Sequence, residues 1–508
     1  MFHILIFENL KPIFMTLYYR ITILISSFLL VSSSYGQSVN DALRYATLYP
    51  GGSARVIGAG SSFGAMGGDF GSLSINPAGL ADFRSSEIVF SFSFNAGTTS
   101  SMLRGIPQAT DHQVEPNIEN LGLVIHTSPM GGIFQTSNFA IGLQQYNSYN
   151  ENFSYSGQTE GSIAQRFLEI SNGFTVDELD AFEGALAFET AAILEESERE
   201  YISDFIPSDL VNKSQEVSRS GKYNEFVLAW AGKMHNNLSI GLGVGIPFVS
   251  FEEDKAYFEN DVQDLVPFFD RLSFTERLST SGAGINAKIG LGYTINRIIR
   301  LGLSYQTPSY LKLDDNFDTA LSYTFTDVDG TVSSDAVSPD GRFDYRLRTP
   351  SRMVASIGTL INTDGIKGFL NVDAQYINYG GSRFNLTAFS DDPGELAFQE
   401  QLNGLISDQL ESTLNLNVGG ELAYKKLRLR SGIGIYTTGE VADQSGSDKI
   451  YSAGLGFREN KFYIDLSYQK RDFREQYVPY RLSDTSLQQT VDNQADVSKI
   501  TFTIGYKI

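Results

Sequence analysis

From Leu238 the chain alternates strictly: Leu238, Ile240, Leu242, Val244, Ile246 and Phe248 are apolar, and Ser239, Gly241, Gly243 and Gly245 between them are small or polar. A period of two puts successive side chains on opposite faces of a strand, so one face here is continuously apolar. The pattern recurs at Ile88, Phe90, Phe92 and Phe94, and at Ile285, Ala287, Ile289, Leu291 and Tyr293. It appears again at Leu414, Leu416 and Val418, at Leu427, Leu429, Ile433 and Ile435, and at Phe462, Ile464, Leu466 and Tyr468. The chain stops on Phe502, Ile504, Tyr506 and Ile508. Opposite these stripes lie Lys288, Asp373, Glu421, Arg428, Arg430 and Asp465. Apolar outward and polar inward is the rule for strands that cross a membrane.

The alternation predicts strands near 85–98, 116–127, 138–156, 214–234, 238–254, 272–295, 299–314, 341–361, 366–380, 412–425, 427–438, 447–458, 461–472 and 496–508. Short turns are expected at His235-Asn236-Asn237, Asn296-Arg297, Asn362 to Gly365, Lys425-Lys426 and Glu459-Asn460. Between them fall long loops at about 255–271, 315–340, 381–411 and 473–495. The expected fold is therefore all-β: a transmembrane antiparallel β-barrel of about fourteen strands, with short turns on the periplasmic side and long extracellular loops. Closure satisfies every strand from its neighbours, so lipid meets no open edge.

Two stretches break the pattern. Residues 157–213 carry helical spacing and many acids, as in Glu195 to Glu200, and read as a helical extracellular insertion, a ligand vestibule or a solvated cap. Residues 37–84 are rich in Gly and carry Val56, Ile57, Phe63, Met66, Phe70, Leu73 and Ile75, too apolar for a free tail. They are expected to fold inside the barrel as a plug, or hatch, leaving 85–508 as the barrel proper.

Composition narrows the function. The 508 residues include 48 Gly, 36 Phe and 26 Tyr but no Cys, which excludes disulfides, cysteine–zinc sites and thiol nucleophiles. A net charge of −21 argues against nucleic acid as a partner. Arg20, the apolar run Ile21 to Val31 and the small residues through Ser34-Tyr35-Gly36 read as an export signal over 1–36, with Met1 or Met15 as initiator. A membrane anchor is the competing reading, but the run falls short of the ~20 residues a spanning helix needs. The expected location is the cell outer membrane.

The segment Gly67 to Ala81, with its core Asn76-Pro77-Ala78-Gly79, resembles the N-terminal hatch of the FadL/OmpP-type transporter family. Weaker matches follow in order: Tyr305-Gln306-Thr307-Pro308, Leu347-Arg348-Thr349-Pro350 before Ile357-Gly358, and Gly420 to Tyr424 before Leu429 to Gly432. The resemblance implies a fourteen-stranded barrel plugged by a hatch, and an outer-membrane channel that takes up long-chain fatty acids or similar small hydrophobic compounds and releases them sideways through its wall. It implies as partners a hydrophobic small molecule such as a fatty acid, outer-membrane lipid and the barrel-assembly machinery, with the barrel a monomer. The last residue is Ile508, where many such barrels end in an aromatic, so the assembly signal is expected to rest on Phe502 and Tyr506. Some barrels of this kind instead dock surface-secreted proteins, and that alternative stands beside transport. At Asn76 and Pro77 a plug element competes with a plain tight turn into the first strand.

Catalytic chemistry is sparse. The four His are scattered at 3, 112, 126 and 235, and there is neither a Gly-x-Ser-x-Gly elbow nor a His-Glu-x-x-His pair, so no enzyme is expected. No metal or other cofactor is expected. Gly58-Ala59-Gly60 with Gly64 reads as flexible plug backbone, and Asp327-Val328-Asp329-Gly330 as a hairpin tip rather than a calcium loop. Asp373, Asp465 and Arg430 either pair across the lumen or guide a substrate head group.

A lateral exit is expected in the third strand between Gly142 and Glu151. Ile141 and Leu143 set an outward register that resumes at Tyr149, Phe153 and Tyr155, while Gln145 and Asn147 on the same face would meet lipid. A bulge or inward kink removes that cost, and Gly142, lacking a Cβ, is the expected site. The competing reading puts Gln145 and Asn147 at the extracellular rim.

Overall fold

The computed structural model describes residues 37–508 except 105, 131, 235, 236, 364, 390, 391 and 442–446. The export signal, His3, and the His235-Asn236 part of one expected turn lie outside the described residues.

Fourteen antiparallel strands form the wall, in chain order. They are β1 (Glu87–Leu103), β2 (Ile106–Thr127), β3 (Phe134–Ser148, resuming Glu151–Glu160), β4 (Leu210–Met234) and β5 (Leu238–Asn260). Next come β6 (Phe269–Ile295), β7 (Ile299–Gln306, resuming Tyr310–Asp327), β8 (Gly341–Arg348, resuming Arg352–Thr363) and β9 (Ile366–Asn378). The wall ends with β10 (Ser412–Tyr424), β11 (Leu427–Thr437), β12 (Ser447–Arg458), β13 (Phe462–Tyr477) and β14 (Val491–Lys507). Pairing of β1 with β14, from Glu87–Lys507 to Leu103–Val491, closes the ring. The expected all-β barrel is thus the observed one.

The outward stripes are the ones the alternation picks out. Leu242, Val244 and Phe248 of β5, Ile285, Ile289 and Leu291 of β6, and Leu414, Val418 and Leu422 of β10 are exposed, as lipid-facing residues of an isolated chain must be. Tyr293, Tyr424, Phe462 and Tyr506 ring the short-turn end, where aromatic girdles mark the membrane interface. Across the ring joint, Phe92 and Phe502 stack at 5.1 Å.

The strands outrun their expected ends on the extracellular side. β1 and β2 run on to Leu103 and Ile106, so no long loop joins them, and the stretch 315–340 is mostly ladder, with Gly330–Val337 hairpinned onto β7. Above the bilayer the outward face meets water in place of lipid, so the apolar stripe disappears although pairing continues. Asp327 and Gly330 close the hairpin, with the Asp329 amide donating to the Asp327 carboxylate at 2.8 Å, which places the Asp-Val-Asp-Gly motif at a turn.

The insertion after β3 is only partly helical. It holds α-helices Ala164–Ser171 and Gly184–Glu189, but the acidic run is a β-hairpin, Leu194–Ser197 against Glu200–Ile202. Arg199 turns it with φ of 68°. The helical spacing of those acids reflects a charged surface rather than a helix. A further helix, Pro393–Gln409, caps the ring beyond β9, and its Leu402 and Ile406 pack into the lumenal core.

Inward charges pair. Arg430 reaches Glu421 at 2.6 Å and Asp465 at 2.8 Å, and Arg458 reaches the other Asp465 oxygen at 2.9 Å. Arg430 and Asp465 are fully buried, so removing one partner strands a charge in low dielectric. Arg430→Met is expected to lower stability by about 3 kcal/mol, read from urea unfolding in micelles; a loss under about 0.5 kcal/mol, the worth of an exposed pair, would contradict this.

Candidate functional site

The hatch segment and the third strand together build the site. Residues 37–83 form helix α1 (Val39–Ala46), capped by Ser38, the short helix α2 (Ala54–Gly58), and two 3-10 turns, Phe70–Ser74 and Pro77–Asp82. Their apolar groups are buried: Phe63, Phe70 and Leu80 are completely covered. They lie against the inward faces of the strands, to which they are bonded on several sides.

On one side the Asp373 carboxylate of β9 accepts the Phe63 and Gly64 amides at 2.7 and 3.0 Å. Arg55 forks onto Glu421 of β10 at 3.0 and 3.2 Å. On the other side Asp82 meets Lys233 of β4 at 2.9 Å and Arg300 of β7 at 2.6 Å. Burial pushes the Asp82 carboxyl up, but those two cations outweigh it and hold it below the usual carboxylate range. Asp373 and Arg430 are therefore occupied by structural partners.

Wall glycines make room for these contacts. A Cβ at Gly290 would fall 2.0 Å from the Asn76 Oδ1, one at Gly241 2.3 Å from the Pro77 carbonyl carbon, and one at Gly302 2.2 Å from the Gly64 oxygen. The small residues that read as the polar face of the strands are thus a bed for backbone.

The motif sits on this bed. Asn76 caps its turn by accepting the Ala78 amide at 3.0 Å, and its Nδ2 donates to the Gly64 carbonyl at 2.7 Å and to Leu291 of β6 at 3.1 Å. Pro77 opens the turn where no amide donor is needed. Gly79 packs so closely that a Cβ would meet the Ser72 hydroxyl at 2.7 Å. Ala78 is buried beside Gly292 of β6.

In the third strand the irregularity falls later than Gly142. Gly142 pairs regularly with Gly122 and Val227, and faces inward beneath Phe70, whose ring would lie 2.6 Å from a Cβ there. The register shift lies between Gln145 and Asn147, which makes Tyr146 the bulged residue. Tyr146 is held inward by its hydroxyl, 3.2 Å from Glu225 and 2.5 Å from Lys288. Its carbonyl accepts the Tyr49 amide of the hatch at 3.0 Å.

Beyond the bulge the strand turns its face. Asn147 donates inward to the Thr47 carbonyl at 3.1 Å. Tyr149 packs edge-on against Tyr45 of α1, Phe153 against Tyr477, and Tyr155 bonds Gln215 at 3.0 Å. These three do not resume the lipid-facing register; one inserted residue moves the whole set to the other face. Gln145, paired with Asn224 just before the bulge, keeps its outward ladder position but is 5% exposed and reaches the cavity. Tyr146 itself gave no signal, since its place in the alternation was already inward.

The wall is incomplete at this level. Among the described residues, the ladder between β2 and β3 runs from Thr127–Ser137 to Asn120–Gln144 and stops. Higher up, β2 pairs with β1 among the described residues, and β3 is tied back to it by the side-chain bonds Ser148 to Glu115 at 3.1 Å and Ser154 to Asp111 at 3.0 Å. This seam borders a cavity of about 1590 Å³ that is floored by the hatch and includes Leu48, Tyr49, Glu115, Tyr146 and Glu151 in its lining. His112 and His126, the His within the described residues, make cross-strand contacts with Thr98 and Asn138.

A closed fourteen-stranded barrel with a lipid-facing apolar belt and an internal N-terminal segment is an outer-membrane β-barrel. More particularly, it shares the fold of a Pseudomonas aeruginosa FadL homologue of known crystal structure, with a TM-score of 0.53 at 12% identity over 91% of this chain and 99% of that one. The P. putida toluene transporter TodX and the Ralstonia pickettii toluene transporter TbuX also align, with TM-scores of 0.49 and 0.48 at 12% and 13% identity, each over 90% of this chain and 99% of theirs. No family model and no curated protein matches the sequence.

Gly290→Val is expected to unseat the Asn76–Ala78 turn and raise conductance in planar bilayers several-fold, whereas Gly404→Ala, with open space around it, leaves it unchanged. Equal conductance of the two variants would show that the turn does not close the lumen.

Proposed function

We propose that this barrel carries small hydrophobic compounds, long-chain fatty acids or chemically similar solutes, from the outside into the cavity, and releases them sideways through the seam between β2 and β3. One observation supports the reading above all: the ladder stops at Asn120–Gln144, beside a cavity whose floor is bonded to the wall by Asp373, Glu421 and Asp82. In this reading residues 37–84 act as a hatch that keeps the lumen shut below, with Asn76, Pro77, Ala78 and Gly79 seating it. Gln145 and Asn147 flank the exit, and Gly142 is the point where β3 crosses the hatch ring Phe70.

The physical logic favours a sideways exit for an apolar solute. Crossing into the aqueous periplasm would expose its surface to water at roughly 25 cal/mol per Å². Passing from a lumen into lipid avoids that step. Outer-membrane lipid is then the receiving partner, and the barrel-assembly machinery would read the terminal strand through Phe502 and Tyr506.

Docking of a secreted protein is the second reading, favoured by apolar side chains exposed at the extracellular loop tips: Val262, Leu265, Phe268 and Val328. Mass spectrometry of a detergent-free preparation separates the two, since a channel retains a lipid-like molecule and a docking barrel retains protein.

The exit itself is tested by a disulfide between Ser148→Cys and Glu115→Cys, whose side chains meet across the seam at 3.1 Å. Oxidation is expected to cut entry of labelled dodecanol into cells at least fivefold, reversibly on reduction. Undiminished entry through the cross-linked barrel would remove the seam from the mechanism.

A further inference from the structure

The chemistry of the seam is at odds with a plain hydrocarbon or a carboxylate as its passenger. The inward face of β2 beside the seam carries Asp111, Gln113, Glu115, Asn117 and Glu119 in succession. Across from it stand Gln145 and, paired with Gln145 on β4, Asn224. Several of these amides are buried without partners. Asn117 is 4% exposed, and neither its Oδ1 nor its Nδ2 makes a hydrogen bond; the Gln145 Oε1, Gln113 Oε1 and Asn224 Oδ1 are likewise unpaired. Buried amides are normally satisfied, because leaving one unpaired forfeits its hydration with nothing in return.

The carboxylates add a second, independent constraint. Glu115 accepts the Ser148 hydroxyl, Asp111 accepts the Ser154 hydroxyl, and Glu119 accepts Ser93 at 2.6 Å and Lys499 at 2.9 Å. An ionised carboxyl group offers about four acceptor sites, so acceptors outnumber donors along this edge. Of the three, Glu119 is ion-paired, to Lys499, while Asp111 and Glu115 have no ion pair among the described residues. An anionic head entering here would meet Asp111 and Glu115, where like charges repel strongly in a partly dry site; Glu151 nearby is neutralised by Arg219 at 3.0 Å. On the outer side of the same stretch Val114 and Ile118 are exposed and apolar, so a tail can lie in lipid while the head remains among the amides.

We propose, on the reading that the seam is the exit, that it selects amphiphiles whose head donates hydrogen bonds and carries no negative charge: primary fatty amides, fatty alcohols, and fatty acids only as the protonated acid. The unpaired amide of Asn117 and the free Oε1 of Gln145 receive the head while the tail turns out across Val114 and Ile118. A carboxylate of the same chain length passes poorly at neutral pH, and an alkane gains nothing from the amides.

The test uses three probes of one chain length, octanamide, octanoate and octane, with binding to the full barrel in lipid nanodiscs measured by equilibrium dialysis at pH 7.5. Octanamide is expected to bind at least tenfold more tightly than octanoate and several-fold more tightly than octane. Asn117→Leu and, separately, Gln145→Met should each lower the octanamide-to-octane ratio about tenfold, with heat-modifiable gel mobility checking that each variant is folded. Octanoate or octane binding as tightly as octanamide would overturn the proposal and leave the channel reading in place. An unchanged ratio in both folded variants would also overturn it. Binding of none of the three probes would overturn the channel reading and this proposal together.

Discussion

Everything in this molecule depends on the rule that a backbone amide or carbonyl facing hydrocarbon must be bonded. The ring closes from β1 to β14 because an open edge could not survive in lipid. The rule also makes the departure between β2 and β3 informative. Between β2 and β3 pairing ends at Asn120–Gln144, and the groups released there must find other partners. One of them, the Tyr146 carbonyl, takes the Tyr49 amide from the hatch, so hatch and wall complete each other at the point where the wall is weakest.

The hatch is held by backbone fit as much as by charge. Glycines at 241, 290, 302, 419 and 432 let hatch main chain approach to distances that a Cβ would block. Arg55–Glu421 and Asp82 with Lys233 and Arg300 then fix it to nearly opposite parts of the ring. The upper part is different in kind: Val39, Ala42, Tyr45 and Leu48 of the N-terminal stretch pack in one apolar cluster with Tyr149, Phe251 and Leu402. Non-directional packing of this sort can rearrange more readily than buried ion pairs.

The fold was legible in the sequence because lipid enforces a period of two over a crossing, as at Leu238 to Phe248. Strand ends were not legible, since above the membrane the outward face is wet and needs no apolar side chain, as at Ser100, so β1 runs on to Leu103 without an apolar stripe. The acids of 195–200 suggested a helix because surface charge carries no period of its own. At the seam, the polar pair Gln145 and Asn147 marked an irregularity, but not its location. The position of the bulge is set by the Tyr146 hydroxyl between Glu225 and Lys288, contacts made across 79 and 142 residues of chain. Gly142 drew notice for its missing Cβ, and that feature serves Phe70 instead.

In the proposed function solute leaves through the wall while the N-terminal segment stays seated. Ser62 and Asn371 touch side chain to side chain at 3.0 Å, so Ser62→Cys with Asn371→Cys tethers the hatch to β9. Dodecanol entry measured in cells carrying the oxidised, tethered barrel should match that of the reduced barrel within twofold. Abolished entry on tethering, restored by reduction, would mean that the hatch must move out of the lumen, and would contradict the account.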